Sequence, residues 1–140
     1  MSSKDQISYY YFHYTFRFWA VIAFALWLNS LGVEPFVNNL FDDLRDGLIL
    51  LMAMDKVRPG IVDWKRVNRP APIKSKFKKV ENTNYVVVLG KSLKFSLVGI
   101  QGSDLTDGNK TLTLGKIFHF CMPLLLFLSN CLFFFKRNPF

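Results

Sequence analysis

Apolar residues in the middle of the chain recur every three or four positions, which is the spacing of an α-helix. The first set lies on one helical face: Phe24, Trp27, Leu28 and Leu31. A second set follows the same rule: Leu40, Leu44, Leu48 and Leu51. The sequence nowhere sustains the two-residue alternation of a half-buried strand. The pattern therefore predicts an all-α domain.

Glycine and proline residues set the ends of the predicted helices. Gly32 follows the first apolar set, where helix C-termini favour glycine. Pro59 and Gly60 stop the second helix, and Gly47 inside it indicates a bend or a close helix contact. A third helix is predicted over residues 77–90. Its predicted inner positions are Phe77, Val80, Asn84 and Val87/Val88.

The charge and the cysteine content limit the classes of partner and the cellular compartment that are expected. The 140 residues carry a formal charge of +8, and residues 24–115 contain 13 Lys/Arg against 9 Asp/Glu. Such a basic segment attracts acidic surfaces, and nucleic acid, anionic lipid and an acidic protein filament all qualify. Cys121 and Cys131 both lie in the C-terminal tail, so no disulfide framework is predicted for the domain. This fits a reducing, intracellular setting.

The motifs that could carry catalysis or metal binding are incomplete. Gly90-Lys91-Ser92 ends like a phosphate-binding loop, but Tyr85 stands where that loop needs glycine. A calcium loop around Gly108 would place Leu105 at a ligand position. No His/Cys cluster has zinc spacing. We therefore expect a non-enzymatic protein without a metal or cofactor.

Seven segments carry a resemblance to a known family. They are FALWLNSLG (24–32), VNNLFDDLRDGLILL (37–51), VDWKRVN (62–68), FKKVENTNY (77–85), LGK (89–91), FSLVGI (95–100) and DGNKTLTLG (107–115). In this order and spacing they resemble the third calponin-homology domain of the fimbrin/plastin family, the first domain of its second actin-binding pair. The resemblance covers about 92 residues.

The resemblance implies a compact helical bundle with long loops that helps to bind the side of filamentous actin. Family members carry four such domains in two pairs, and two pairs in one chain cross-link filaments into bundles. One domain alone implies weak binding. The expected partner is therefore filamentous actin and not nucleic acid, the expected location is the cytoplasm with its actin cytoskeleton, and the expected state is a monomer.

The resemblance also selects candidate contact residues. The end of the first helix, with Asn29 and Ser30, is similar to the family's first actin-contacting segment, and residues 97–115 are similar to its second. In that second segment the polar residues free to touch a filament are Gln101, Ser103 and Lys110. Lys78 and Lys79 belong to the densest charge cluster, which is either a solvated face or an attraction site for acidic actin. Trp27 and Trp64 are predicted to be core residues.

The two ends of the chain depart from the family. We expect an N-terminal extension over residues 1–23, the domain over 24–115 (to 122 if its last helix continues), and an apolar tail over 116–140. The abrupt loss of resemblance predicts a truncated or mis-spliced product, which transcript sequencing tests. One alternative function is a membrane-anchored protein, with residues 117–135 as the anchor. Another is a protein-interaction scaffold that does not bind actin.

Overall fold

The structure, a computed structural model, describes residues 2–93 and 101–108. It contains five α-helices in these ranges: α1 (Ser3–Ser30), α2 (Leu40–Asp43), α3 (Leu48–Val57), α4 (Lys76–Ser92) and α5 (Gly102–Thr106). A single 3₁₀ turn, Trp64–Arg66, lies between α3 and α4. The described ranges contain no strand, which confirms the all-α prediction.

Helix α1 is 28 residues long and starts far before the first predicted apolar set. Its start is fixed by a capping box, in which the Asp5 N–H donates to Ser2 Oγ and the Ser2 N–H donates to Asp5 Oδ2. The hydrogen bonds from Ser2 lower the pKa of the Asp5 carboxyl. The helix therefore runs without a break across the predicted boundary between the extension and the domain.

The second predicted helix is divided into α2 and α3 at Gly47. This residue has φ of +76°, a left-handed conformation that glycine adopts without strain. A Cβ atom at Gly47 would lie 3.1 Å from the backbone nitrogen of Thr83 in α4. The predicted bend and the predicted close helix contact are both confirmed. Helix α3 ends at Val57, just before the predicted stop at Pro59.

The prediction of which residues form the inner face of α4 is partly wrong. Phe77 and Val88 are 72% and 58% exposed, and Asn84 is also exposed. The helix instead buries Asn82, Thr83, Val86, Val87, Leu89 and Gly90. The polar residues Asn82 and Thr83 can lie on the buried face because their side chains form hydrogen bonds there.

The core lies between α1, α3 and α4 and the loops that join them. Its most completely buried apolar side chains are Leu28, Leu44, Leu50, Leu51, Met54 and Val86. Trp27 and Trp64 both pack against this cluster, although each is only partly buried. Trp27 stacks on Phe24 with ring centroids 5.6 Å apart. The two tryptophans therefore contribute to the core from its edge.

Candidate functional site

The first candidate segment lies at the C-terminal end of α1. The Asn29 side chain is part-buried, and its amide group makes two bonds to one residue of the following loop. Asn29 Nδ2 donates to the Val37 carbonyl at 3.1 Å, and the Val37 N–H donates to Asn29 Oδ1 at 2.8 Å. Ser30 is exposed, and its hydroxyl donates to the Trp27 carbonyl at 2.6 Å. Asn29 thus holds the loop, while Ser30 presents its side chain to solvent.

The second candidate segment includes helix α5. Gln101 precedes this helix and is exposed, and its N–H donates to Asp104 Oδ2 at 3.1 Å. Ser103 is half-buried in the first turn. Leu105 is buried. Lys110 lies outside the described residues, as do Leu112 and the predicted tail.

Helix α5 is fixed to α4 by polar contacts. The Gly102 N–H donates to Asn84 Oδ1 at 3.1 Å, and the hydroxyls of Thr83 and Thr106 are 3.1 Å apart in a buried pair. Arg45 Nε donates to the Thr106 carbonyl at 2.8 Å from the turn before α3. These bonds satisfy polar groups that the docking removes from water, so the position of α5 is determined by α4.

The basic start of α4 lies beside the end of α5. Lys76 Nζ and Asp107 Oδ1 form an ion pair at 2.7 Å, with both side chains largely exposed. Lys78 is exposed and Lys79 is half-buried in the same first turns of α4. The structure therefore brings Lys76, in the basic start of α4, into contact with the α5 segment. Asn29 and Ser30 make their described side-chain hydrogen bonds within α1 and its following loop, not with α4 or α5.

An open cleft of about 430 Å³ adjoins Lys79. Its lining combines charged residues with an apolar floor that includes Ile49, Met52 and Ile73. The charged lining residues are Glu34, Asp42, Asp43, Arg45, Asp46 and Lys79. Sequence reasoning missed this cleft, because its walls come from four separate segments and no local motif marks them.

The Asp46 carboxyl lines this cleft and is half-buried. Burial raises the pKa of the Asp46 carboxyl, and the Leu48 N–H, which donates to it at 3.0 Å, opposes that change only partly. A raised pKa means that the folded chain binds this proton more tightly than the unfolded chain. Stability from this group is therefore lost as pH rises from the ordinary Asp pKa through the raised one.

Asp46→Asn is expected to raise the urea midpoint of unfolding at pH 7. The amide oxygen keeps the bond from Leu48, and the cost of burying a charge disappears. At pH about 3, where the carboxyl is protonated, the two proteins should unfold alike. The control is Asp42→Asn, which removes the same charge from an exposed position on the cleft. An equal gain in both variants, or in Asp46→Asn at both pH values, would contradict the assignment.

Two cation–π pairs form a second feature that sequence reasoning missed. The Arg66 guanidinium carbon lies 4.8 Å from the centroid of the Tyr85 ring, and that of Arg69 lies 5.5 Å from Trp64. The Tyr85 hydroxyl accepts a hydrogen bond from the Asp63 N–H at 3.0 Å. These contacts hold the loop before α4 against the helix, and they favour a packing role for Tyr85 and Trp64.

The described part of the chain contains no group of three or more His, Cys, Asp or Glu residues placed to hold a metal ion. Within the same ranges, no helix combines the length and the apolar character needed to cross a membrane. The predicted anchor over residues 117–135 lies outside the described residues.

Comparison with known proteins identifies relatives of this chain. The family model for the calponin homology (CH) domain matches residues 20–122. The chain is 64% identical over 97 residues to fimbrin of Saccharomyces cerevisiae and 52% identical over 97 residues to plastin-3 of Bos taurus. Each alignment covers 67% of this chain and 15% of the relative, so the chain spans a small part of these curated proteins.

A solved structure gives the same assignment. The crystal structure of the actin-crosslinking core of Schizosaccharomyces pombe fimbrin matches with a TM-score of 0.68 and 54% sequence identity. The match covers 71% of this chain and 22% of that chain.

Proposed function

Since the chain belongs to the calponin-homology domain family, we propose that it is a non-enzymatic module that binds the side of actin filaments. The relatives named fimbrin and plastin, and the fimbrin core whose structure is described as actin-crosslinking, support this partner. The seven matching segments support the finer assignment to the third such domain of that family. A filamentous-actin partner supports a location in the cytoplasm, on the actin cytoskeleton.

One observation of the structure carries the proposal. Helix α5 is docked on α4 by the Asn84–Gly102 and Thr83–Thr106 contacts and by the Lys76–Asp107 ion pair, so the exposed Gln101 is held in a fixed position relative to the basic start of α4. Asp107 pairs with Lys76, and Lys78 and Lys79 supply further positive charge at the start of α4. A positively charged surface favours binding to an acidic filament, because electrostatic attraction raises the association rate. Polar groups held in fixed positions then determine the orientation of the bound domain.

Lys78→Glu is expected to weaken co-sedimentation with actin filaments about threefold to tenfold. Between low and physiological ionic strength, the variant should lose less binding than the unmodified protein, because it has one positive charge fewer to be screened. The matched control is Lys56→Glu, which makes the same charge change at an exposed position at the end of α3. If both variants lose binding equally, only the net charge of the chain matters. If the unmodified protein does not pellet with filaments at low salt, the scaffold alternative replaces the proposal.

A single domain offers one filament site, and cross-linking needs two sites in one particle. We therefore expect a monomer to bind filaments weakly without bundling them. Low-speed sedimentation, which pellets bundles but not single filaments, measures this directly. Bundling by a particle with the mass of one chain would contradict the single-site proposal.

A further inference from the structure

The N-terminal part of α1 carries a regular apolar seam. Along one face of the helix, a set of apolar residues alternates in spacing between four and three positions, the heptad spacing of a coiled coil. Further apolar residues, among them Tyr9, Phe12 and Trp19, are exposed on its other faces. The residues of this seam are Ile7, Tyr11, Tyr14, Phe18, Val21, Ala25 and Leu28. Three heptads thus lie on one face of one uninterrupted helix.

The two ends of the seam have different surroundings. Leu28 is buried, and Val21 and Ala25 pack against the domain core. The other four members are open to solvent, with exposed fractions of 56% for Ile7, 73% for Tyr11, 70% for Tyr14 and 64% for Phe18. Tyr10 flanks them at 65% exposure and stacks on Tyr14, with ring centroids 6.3 Å apart. The domain covers one end of the seam and leaves the other exposed.

The exposed area is large enough for a stable contact. An aromatic side chain offers about 150–250 Å², so the four aromatic residues (Tyr10, Tyr11, Tyr14 and Phe18), each about two-thirds exposed, together with Ile7 present roughly 600 Å² per copy. Two copies would then bury about 1,200 Å², which exceeds the roughly 1,000 Å² expected of a specific interface. A contiguous apolar patch of this kind on a soluble chain marks an interaction site.

The pattern favours a second copy of the chain over a membrane surface. A helix that lies on a membrane carries many Lys and Arg residues on its polar face. Over residues 3–19 the basic residues are only Lys4 and Arg17, and Asp5 offsets one of them. A heptad seam fits a partner helix with the same repeat, and the chain itself supplies such a helix.

We propose that two copies of the chain form a homodimer by packing the exposed seams of their α1 helices in antiparallel orientation. The exposed segment, residues 3–19, is about 25 Å long. In a parallel pair the partner helix would run along this face into Val21 and Ala25, where the domain already lies. The antiparallel pair places the two domains at opposite ends. The sequence alone predicts a monomer, so this inference replaces that expectation.

The test is the mass of the full chain in solution, measured by sedimentation equilibrium over a concentration series. The unmodified chain is expected to approach twice its mass of 16.3 kDa. Tyr11→Glu/Phe18→Glu places two charges in the seam and is expected to give the mass of one chain. The control, Gln6→Glu/Tyr9→Glu, adds the same number of charges at exposed positions on the face of the helix away from the seam and should remain dimeric.

Circular dichroism separates loss of pairing from loss of folding, since the seam variant should keep its cooperative thermal transition. A monomeric unmodified chain would overturn the proposal, as would a seam variant that dimerises like the control. A monomeric chain that pellets with anionic vesicles through Tyr11 and Phe18 would assign the seam to a membrane instead. The mass measurement uses no actin, so its failure is distinct from failure of the proposed filament binding.

Discussion

Replacing Asn82 with alanine is expected to lower the free energy of unfolding by about 3–5 kcal/mol. The Asn82 side chain is 1% exposed and joins three parts of the fold. Its Oδ1 accepts from the Asn68 N–H at 2.8 Å, and its Nδ2 donates to the carbonyls of Asp46 and Asn68 at 3.1 and 3.0 Å. Alanine would leave three backbone groups without partners, at about 1–3 kcal/mol each. Such a loss approaches the whole stability of a small domain.

Urea unfolding followed by tryptophan fluorescence measures this loss. Glu81→Ala is the control. Glu81 also bonds to Asn68, since its Oε2 accepts from Asn68 Nδ2 at 3.0 Å, but the Glu81 side chain is exposed. It should cost less than about 1 kcal/mol. Asn82→Asp keeps the acceptor for the Asn68 N–H but turns an oxygen toward two carbonyls, so it should destabilise at least as much as alanine. A change below about 1 kcal/mol in Asn82→Ala would show that water replaces these bonds.

The importance of Asn82 could not be predicted from the apolar pattern of α4. That pattern favoured the helix face with Phe77, Val80 and Val87, because it selects the face richest in apolar residues, and Asn84 was placed inside only by its spacing on that face. The structure buries Asn82 and Thr83 instead, since their partners outside α4 are the turn at Gly47, the loop at Asn68 and helix α5. Those partners lie 14 or more residues away in the sequence, so their positions depend on tertiary packing.

The ends of the helices were more predictable than their faces. Gly32, Gly47 and Pro59 act locally through the conformations they allow or forbid, and each marked a real boundary. The early start of α1 also had a local signal, the pairing of Ser2 with Asp5 at capping-box spacing. The resemblance begins at residue 24, so it gives no information about the aromatic residues before it, which continue the same helix.

The candidate surface shows the same division between local and distant information. The basic cluster at the start of α4 is evident from composition, and the resemblance selected the segment that contains α5. Their proximity depends on the Asn84–Gly102 bond and the Lys76–Asp107 pair, which no sequence spacing indicates. The structural role of Asn29 also could not be predicted from the sequence, because its hydrogen-bond partner is the backbone of Val37.

Gly102→Ala is expected to detach α5 from α4, with a loss of about 2–4 kcal/mol in unfolding free energy and loss of most filament binding. A Cβ atom at Gly102 would overlap the backbone nitrogen and Oδ1 of Asn84 and lie 2.7 Å from the carbonyl carbon of Thr83. Backbone atoms in a helix cannot move aside locally, so α5 itself must shift. The shift breaks the Asn84–Gly102 bond and opens the buried pair of Thr83 and Thr106.

Gly32→Ala provides a control with a different cause of strain. No atom lies within 4 Å of a Cβ at Gly32, so its cost comes from φ of +73° alone, about 1–2 kcal/mol. Urea unfolding and actin co-sedimentation should be measured on both variants under conditions where both are folded. A docked α5 predicts that only Gly102→Ala loses binding, because its surface is displaced while the Gly32 variant keeps that surface. Equal binding in the two folded variants would mean that α5 does not contribute to filament contact.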